Sequence, residues 1–444
     1  MIINGKDYLC IKEYFLRNFK DKMYKPRIAD NMLREQLQAA GIVVIEGPKW
    51  CGKTTTAEQV AGSVLYLDNP QKRKDYSLLA ENNPDILLTG ETPRLLDEWQ
   101  LAPQLWDAAR FVVDRRKDRG QFIFTGSAVP ADISKISHSG VGRFAWLTMR
   151  TMSLWESEES NGEISLQKLF EGDVKASIAP DQSLEEIAYI LCRGGWPGVI
   201  GLDKHVALKQ AANYVAAVCK SDVSRVDGVN RDATFTRRLL RCLARHQGGQ
   251  VSVGTIHADL TNANKETMSE NTIVSYLSVL KKIFVIEDMP AWNPNLRSKT
   301  AIRTSDTRYF VDPSVATAAL GIGPKDLMND LNTFGLLFET MAVRDLRVYA
   351  DSLDGEVFHY RDSNGLECDA VVHLRDGRYG LVEIKLGGET LIEEGAKTLK
   401  KLSGKIDTER MQKPSFTMVL TAVGSYAYKR PDDVWIVPIG CLKN

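Results

Sequence analysis

The sequence predicts a multidomain α/β protein, and three observations carry that expectation. A chain of 444 residues exceeds what one hydrophobic core ordinarily serves, so roughly two to four domains are expected. Toward the N-terminus, "IVVIEGPKWCGKTTTAEQVAG", residues 42 to 62, passes from a buried-strand pattern through a glycine-rich turn into a helical pattern. Toward the C-terminus, "LECDAVVHLRDGRYGLVEIKLGG", residues 366 to 388, sets two short apolar runs around a polar turn, with acidic residues at alternating positions. Alternation of that kind reads as half-buried strands.

Composition narrows the class. Hydrophobic residues at 43% and charged residues at 26% fit a soluble globular chain. Lys plus Arg equals Asp plus Glu at 57 each, so contact with nucleic acid has to come from a local patch. No apolar run approaches the ~20 residues that span a bilayer, so no membrane partner is expected. Met1 is followed by a polar, mixed segment, which is not a secretory leader. The seven cysteines lie far apart without a CxxC pair and the six histidines are scattered, so no zinc site is expected. A reducing, cytoplasmic setting follows.

The strongest motif is the glycine-rich turn. Ile42 to Ile45 form a four-residue apolar run, and Gly47 to Thr54 match GxxxxGK[ST]. Glycines let the backbone fold into a nest of amides aimed at phosphate oxygens, and the following helix adds its positive end. The predicted nucleotide site is Gly47, Pro48, Lys49, Trp50, Cys51, Gly52, Lys53, Thr54 and Thr55, with Lys53 on the β- and γ-phosphates and the Thr54 hydroxyl on Mg²⁺. The expected cofactors are ATP and Mg²⁺. Cys51 is either a redox-sensitive thiol or a packed bystander.

Phosphoryl transfer also needs an acidic strand end. In "TPRLLDEWQLAP", Leu95 and Leu96 lead into Asp97, which would complete the Mg²⁺ shell, and Glu98, which would polarise the attacking water. The alternative is that the pair caps a helix. In "GQFIFTGSAVP", the strand Phe122 to Phe124 ends in Thr125, Gly126 and Ser127. Thr125 either senses the γ-phosphate or merely closes the strand.

This succession resembles the AAA-type ATPases. The resemblance implies a five-stranded parallel sheet with helices on both faces, over residues 1–150. It also implies that Arg143, in "HSGVGRFAWLTMRTMSLWE", serves as an arginine finger or sensor; pairing with a surface carboxylate is the other reading. Residues 151–230 are expected to be a helical lid. Ser183 and Glu186 form a capping box there, and Gly194, Gly195 and Pro197 stop the helix. Residues 231–325 read as winged-helix-like: a helix, a second capped helix starting at Ser269 or Asn271, and a strand pair. On the first helix Arg237, Arg241 and Arg245 recur at successive turns, a stripe suited to nucleic-acid phosphates or else a solvated face.

In the last expected domain, 326–444, Glu339 sits beside the apolar side of a helix, and Asn364-Gly365 signals a hairpin. Asp369 follows Glu367 by two residues, so both face one way, and Glu383 and Lys385 share a side in the next strand. If the strands are adjacent, Asp369 and Glu383 could share Mg²⁺, with Lys385 orienting a water and Glu339 adding a carboxylate. This arrangement resembles the PD-(D/E)xK nuclease fold. The whole chain resembles the bacterial and archaeal AAA-type ATPases whose C-terminal part is the domain of unknown function 4143. Its "LLFE…R…ExD…hExK" pattern is met at Leu336 to Glu339, Arg361, Glu367, Asp369, Glu383 and Lys385.

Two functions stand against each other. One is an ATPase whose nucleotide state controls a nuclease-like module acting on or binding DNA or RNA. The other is a non-cleaving ATP switch that binds DNA or a protein partner. A third, a remodelling homo-oligomer, would use Arg143 in trans.

Overall fold

The computed structural model describes residues 24–126, 140–226, 228–261, 269–294, 305–409 and 411–444. Ser127, part of the expected strand-end motif, lies outside them.

The first unit is a parallel sheet built from β1 (Ile42–Glu46), β2 (Ser63–Tyr66), β3 (Arg94–Asp97), β4 (Phe122–Thr125) and β5 (Phe144–Thr148), in the order β2-β3-β4-β1-β5. Strand periodicity sorts its apolar residues onto two faces. Ile42, Val44, Leu96, Phe122 and Phe124 join Trp99 and Trp106 in one core, while Val43, Ile45, Leu95 and Ile123 join Leu33 and Leu37 in another. Burial on both faces explains the unbroken apolar run in β1. Helices α1 (Ile28–Ala39), α2 (Lys53–Glu58) and α3 (Gln104–Arg116) supply the covering layers.

Beyond the sheet the chain becomes helical: α4 (Leu184–Arg193), α5 (Lys204–Ala217), α6 (Ala233–Arg245), α7 (Val253–Thr261) and α8 (Glu270–Lys282). The expected Ser183–Glu186 capping box starts α4, and Ser269 accepts from Thr272 N to start α8. A two-stranded antiparallel sheet, β8 (Ile286–Met289) with β9 (Thr307–Phe310), leads into α9 (Pro313–Leu320).

The 21-residue helix α10 (Leu331–Asp351) then packs under a mixed sheet. Its strands are β10 (Gly355–Arg361), β11 (Glu367–Leu374), β12 (Tyr379–Lys385), β13 (Phe416–Thr421), β14 (Tyr426–Lys429) and β15 (Val434–Pro438), with helix α11 (Glu389–Lys405) between β12 and β13. A seventh strand comes from far back in the chain. The order is β10-β11-β12-β13-β15-β14-β7, where β7 is Ser177–Ile178. Similarly β6 (Ile164–Ser165) pairs with β16 (Leu442–Lys443).

This departs from the expectation of a helical lid over all of 151–230, because β7 joins the C-terminal sheet and β6 pairs separately with the last strand, β16. Two-residue strands leave no periodicity to read in the sequence. One continuous core accordingly runs from Leu154 and Ile164 through Leu243, Tyr309 and Phe338 to Leu442.

Candidate functional site

Two clusters of chemistry-bearing residues stand out. The first is the turn after β1. Gly47 has φ +146°, and a Cβ there would lie 2.0 Å from the Met149 carbonyl, so only glycine fits. Gly52, with φ +101°, opens α2. Lys53 is buried and donates to the Gly47 and Pro48 carbonyls at 2.9 and 2.8 Å. The Thr54 hydroxyl donates to Asp97 Oδ1 at 2.7 Å, and Thr125 donates to the same oxygen at 2.6 Å. Asp97 ends β3 and Thr125 ends β4, paired directly in register. Glu98 follows in a left-handed conformation, φ 56°, and Gln100 donates to its carboxylate. Burial, then the Asp97 charge, raises its pKa.

Gly52, Lys53, Thr54, Asp97 and Glu98 line a cleft of about 610 Å³ that also receives Lys49, Trp50, Thr55 and, from the helical region, Pro197, Val199 and Gln210. A second cavity of about 450 Å³ adjoins it through Gly52, Thr55 and Pro197, with Tyr24, Met152, Ile200 and Leu202 on its apolar side. Pro48 contributes its carbonyl to Lys53. Cys51 is fully buried with its thiol 3.5 Å from the Met149 carbonyl, which is the packed arrangement of the two expected. Arg143 is not brought to this cleft. It precedes β5 at the end of the sheet opposite the glycine turn, where its carbonyl accepts from Ile42 N, and its guanidinium pairs with Asp114 at 2.7 Å. That contact matches the surface-carboxylate reading.

The second cluster lies where β11 meets β12. Ala370 pairs with Val382 in the antiparallel ladder, which puts Asp369 beside Glu383 and Ile384. Asp369 Oδ2 accepts from Ile384 N at 2.7 Å and from Lys385 Nζ at 3.1 Å, and Lys385 also reaches Glu383 Oε2 at 2.8 Å. Glu339, from α10, accepts from the buried Tyr309 hydroxyl of β9. Burial first, and the Asp369 charge second, push the carboxyls of both Glu339 and Glu383 up to about 8. Burial alone would lower the Lys385 pKa, but Asp369 and Glu383 raise it. Glu367, two residues before Asp369 on the same strand, forms an exposed ion pair with its cross-strand neighbour Arg361 at 3.2 Å.

Arg237, Arg241 and Arg245 lie exposed along one face of α6, and none forms an ion pair among the described residues. Sequence reasoning missed the connections between these places. Lys49 of the glycine turn pairs with Asp222, 173 residues on. Arg27 binds the Cys51 carbonyl at 2.7 Å, the Arg150 carbonyl at 2.9 Å and Glu156 at 2.9 Å. Arg150 in turn pairs with Glu287 of β8 and Asp351 at the end of α10. Pairs this remote in sequence leave no local signal.

Comparison with known proteins matches residues 39–158 to the AAA domain family, residues 184–326 to a domain of unknown function, DUF8612, and residues 334–442 to DUF4143. The chain therefore joins an AAA domain to a C-terminal domain of unknown function 4143. The uncharacterized proteins Rv2008c of Mycobacterium tuberculosis and Mb2031c of Mycobacterium bovis are each 26% identical over 365 residues, 81% of this chain and 73% of theirs. Among solved structures, the Walker-type ATPase paby2304 of Pyrococcus abyssi aligns over 65% of this chain and 94% of its own, at 17% identity and a TM-score of 0.40. Among the described residues no helix is long and apolar enough to cross a membrane.

Proposed function

We propose that this protein is a Mg²⁺-dependent ATPase whose nucleotide state controls a C-terminal nuclease-like site acting on nucleic acid. The AAA domain supports ATP binding and hydrolysis. Hard oxygen donors, the Thr54 hydroxyl and Asp97 Oδ1, converge within 2.7 Å and fit Mg²⁺. Lys53 would exchange the Gly47 and Pro48 carbonyls for phosphate oxygens, Glu98 would orient the attacking water, and Thr125 would report through Asp97 whether the γ-phosphate is present.

The observation that carries the nuclease-like reading is Asp369 beside Glu383, with Lys385 bridging both at 3.1 and 2.8 Å. Two carboxylates and a lysine at paired strand ends, with Glu339 from a facing helix, support a PD-(D/E)xK-like arrangement. Asp369 and Glu383 would hold a divalent ion, which would supply an activated water and neutralise phosphate charge. Lys385 would orient that water, and Glu339, its pKa raised by burial and then by the Asp369 charge, would donate one proton. Three helices, α6 to α8, followed by the β8–β9 pair support a winged-helix reading of the middle region, with the α6 arginines on phosphates.

The non-cleaving switch is favoured by one observation. Lys385 already contacts both Asp369 and Glu383, so neither carboxyl group is left without a partner as the cluster stands. Cleavage assays on single- and double-stranded DNA and RNA with Mg²⁺ or Mn²⁺ separate the two. Cutting by the wild type that is lost in Asp369→Asn and Lys385→Ala supports the nuclease. Metal-independent cutting, or cutting unchanged in both variants, contradicts it.

A further inference from the structure

A third cluster lies away from both sites. Cys242 lies in the last turn of α6 and His246 is the residue that caps its C-terminus. Helix α7 packs against α6 and brings in Asp259, whose Oδ2 lies 2.7 Å from His246 Nε2 and 3.7 Å from Cys242 Sγ. The three donor atoms all fall within 4.8 Å of one another.

We propose that Cys242, His246 and Asp259 bind a single divalent transition-metal ion, zinc by the chemistry of the donors. A thiolate, an imidazole and a carboxylate are the ligand types zinc takes, and the thiolate selects against Mg²⁺ and Ca²⁺. Zinc–ligand bonds of about 2.0 to 2.3 Å in tetrahedral geometry set donors roughly 3.4 to 3.6 Å apart. The present spacings bracket that value: the His246–Asp259 contact opens by under about 1 Å and Cys242 closes slightly. The His246 and Asp259 side chains are 30% and 32% exposed, which gives an ion a path in and leaves a fourth position for water.

The sequence expectation of no zinc site rested on the absence of CxxC and of clustered histidines. It missed a Cys-x₃-His pair completed by a carboxylate from another helix. Without an ion, Cys242 sits beside a carboxylate that disfavours its thiolate. Burial, then Asp259, pushes this thiol up to about 11. A dication reverses the sign of that environment, and binding releases the thiol proton to solvent as the S–metal bond forms. Arg245, three residues on from Cys242, favours the thiolate without supplying a donor. An ion here ties α7 to the end of α6, beside Arg241 and Arg245.

The full-length chain, stripped with a chelator and kept in excess Mg²⁺ to fill oxygen-only sites, is titrated with Zn²⁺ against a chromophoric chelator and separately with Co²⁺. The expected result is one equivalent bound, with thiolate-to-cobalt charge-transfer absorption. Cys242→Ser should abolish that absorption. His246→Gln and Asp259→Asn should each weaken Zn²⁺ binding by about 10- to 100-fold or more, and Cys219→Ser should leave it unchanged. Asp259→Asn alters a partly exposed side chain, so it keeps the test decisive should Cys242→Ser fold poorly. Absence of uptake overturns the proposal, as does uptake indifferent to all three ligand substitutions.

Discussion

At the level of single residues, the C-terminal cluster is governed by charge held out of water. Glu339 and Glu383 have carboxyls pushed up to about 8, so the folded state keeps protons that an unfolded chain releases near pH ~4.3. Metal-free stability therefore falls as pH rises from about 5 to about 8, and a divalent ion offsets the fall. Thermal unfolding at pH ~5.5 and ~8, with and without Mg²⁺, should show Mg²⁺ raising Tm only at the higher pH. An equal Mg²⁺ effect at both would remove the cluster from consideration as a metal site. In the nucleotide cleft, Glu98→Gln should leave ATP binding intact and slow hydrolysis by about 10²- to 10⁴-fold, read by phosphate release. Much of this was legible in the sequence, because Lys53, Thr54, Asp97, Asp369 and Lys385 stand at fixed offsets from strand ends. Tyr309, which anchors Glu339, and Asp222, which holds Lys49, were not. Each reaches its partner through the tertiary fold alone.

At the level of elements, phase and capping account for most of what could be read. The β1 run and the Asp369/Glu383 phase follow from the two-residue period of a strand, and Ser183 and Ser269 open their helices as their residue types dictate. Helix α6 is started by Asp232, which accepts from Thr234 N and Phe235 N, each at 3.0 Å. Asp232→Ala should cost about 1 kcal/mol in urea unfolding; no change would mean that packing of Phe235 and Leu239 alone fixes the helix. The same helix presents Arg237, Arg241 and Arg245. Replacing all three with Gln should lower the slope of log affinity against log salt for nucleic acid by about 3. An unchanged slope would make the stripe a solvated face. Helix α7, the nine residues Val253–Thr261, escaped the sequence reading because Gly254 and three Thr or Ser neighbours mask its apolar spacing. Strands β6 and β7 escaped because two residues carry no period.

At the level of the whole molecule, residues 149–156 form a strap between the two sites. Met149 N bonds the Glu46 carbonyl at 2.8 Å, behind the glycine turn. Thr151 donates to the buried Asp312 at 2.7 Å, and Leu154 N donates to Asp345 of α10 at 3.0 Å. Arg150 is itself buried and spans Glu287 and Asp351; burial would raise the Glu287 pKa, but Arg150 and Arg347 pull it down to about 2. On the proposed reading, a rearrangement of the glycine turn on nucleotide binding would reach the helix that carries Glu339 through this strap. Arg150→Met should keep ATP hydrolysis within a few-fold of wild type while removing the influence of ATP on the C-terminal site. It should also destabilise the fold, since Glu287 and Asp351 lose their shared partner. If the variant kept full coupling, the route would lie elsewhere, for instance through Lys49 and Asp222.

The most direct measurement is metal-dependent cleavage of nucleic acid by the full-length protein with and without ATP, run beside Lys53→Ala and Asp369→Asn. Cutting that changes with ATP in the wild type, ignores ATP in Lys53→Ala and vanishes in Asp369→Asn is the predicted result. Cutting of equal rate with and without ATP, or no cutting by a protein shown to bind both ATP and the metal, would contradict nucleotide control of a nuclease and leave the non-cleaving switch.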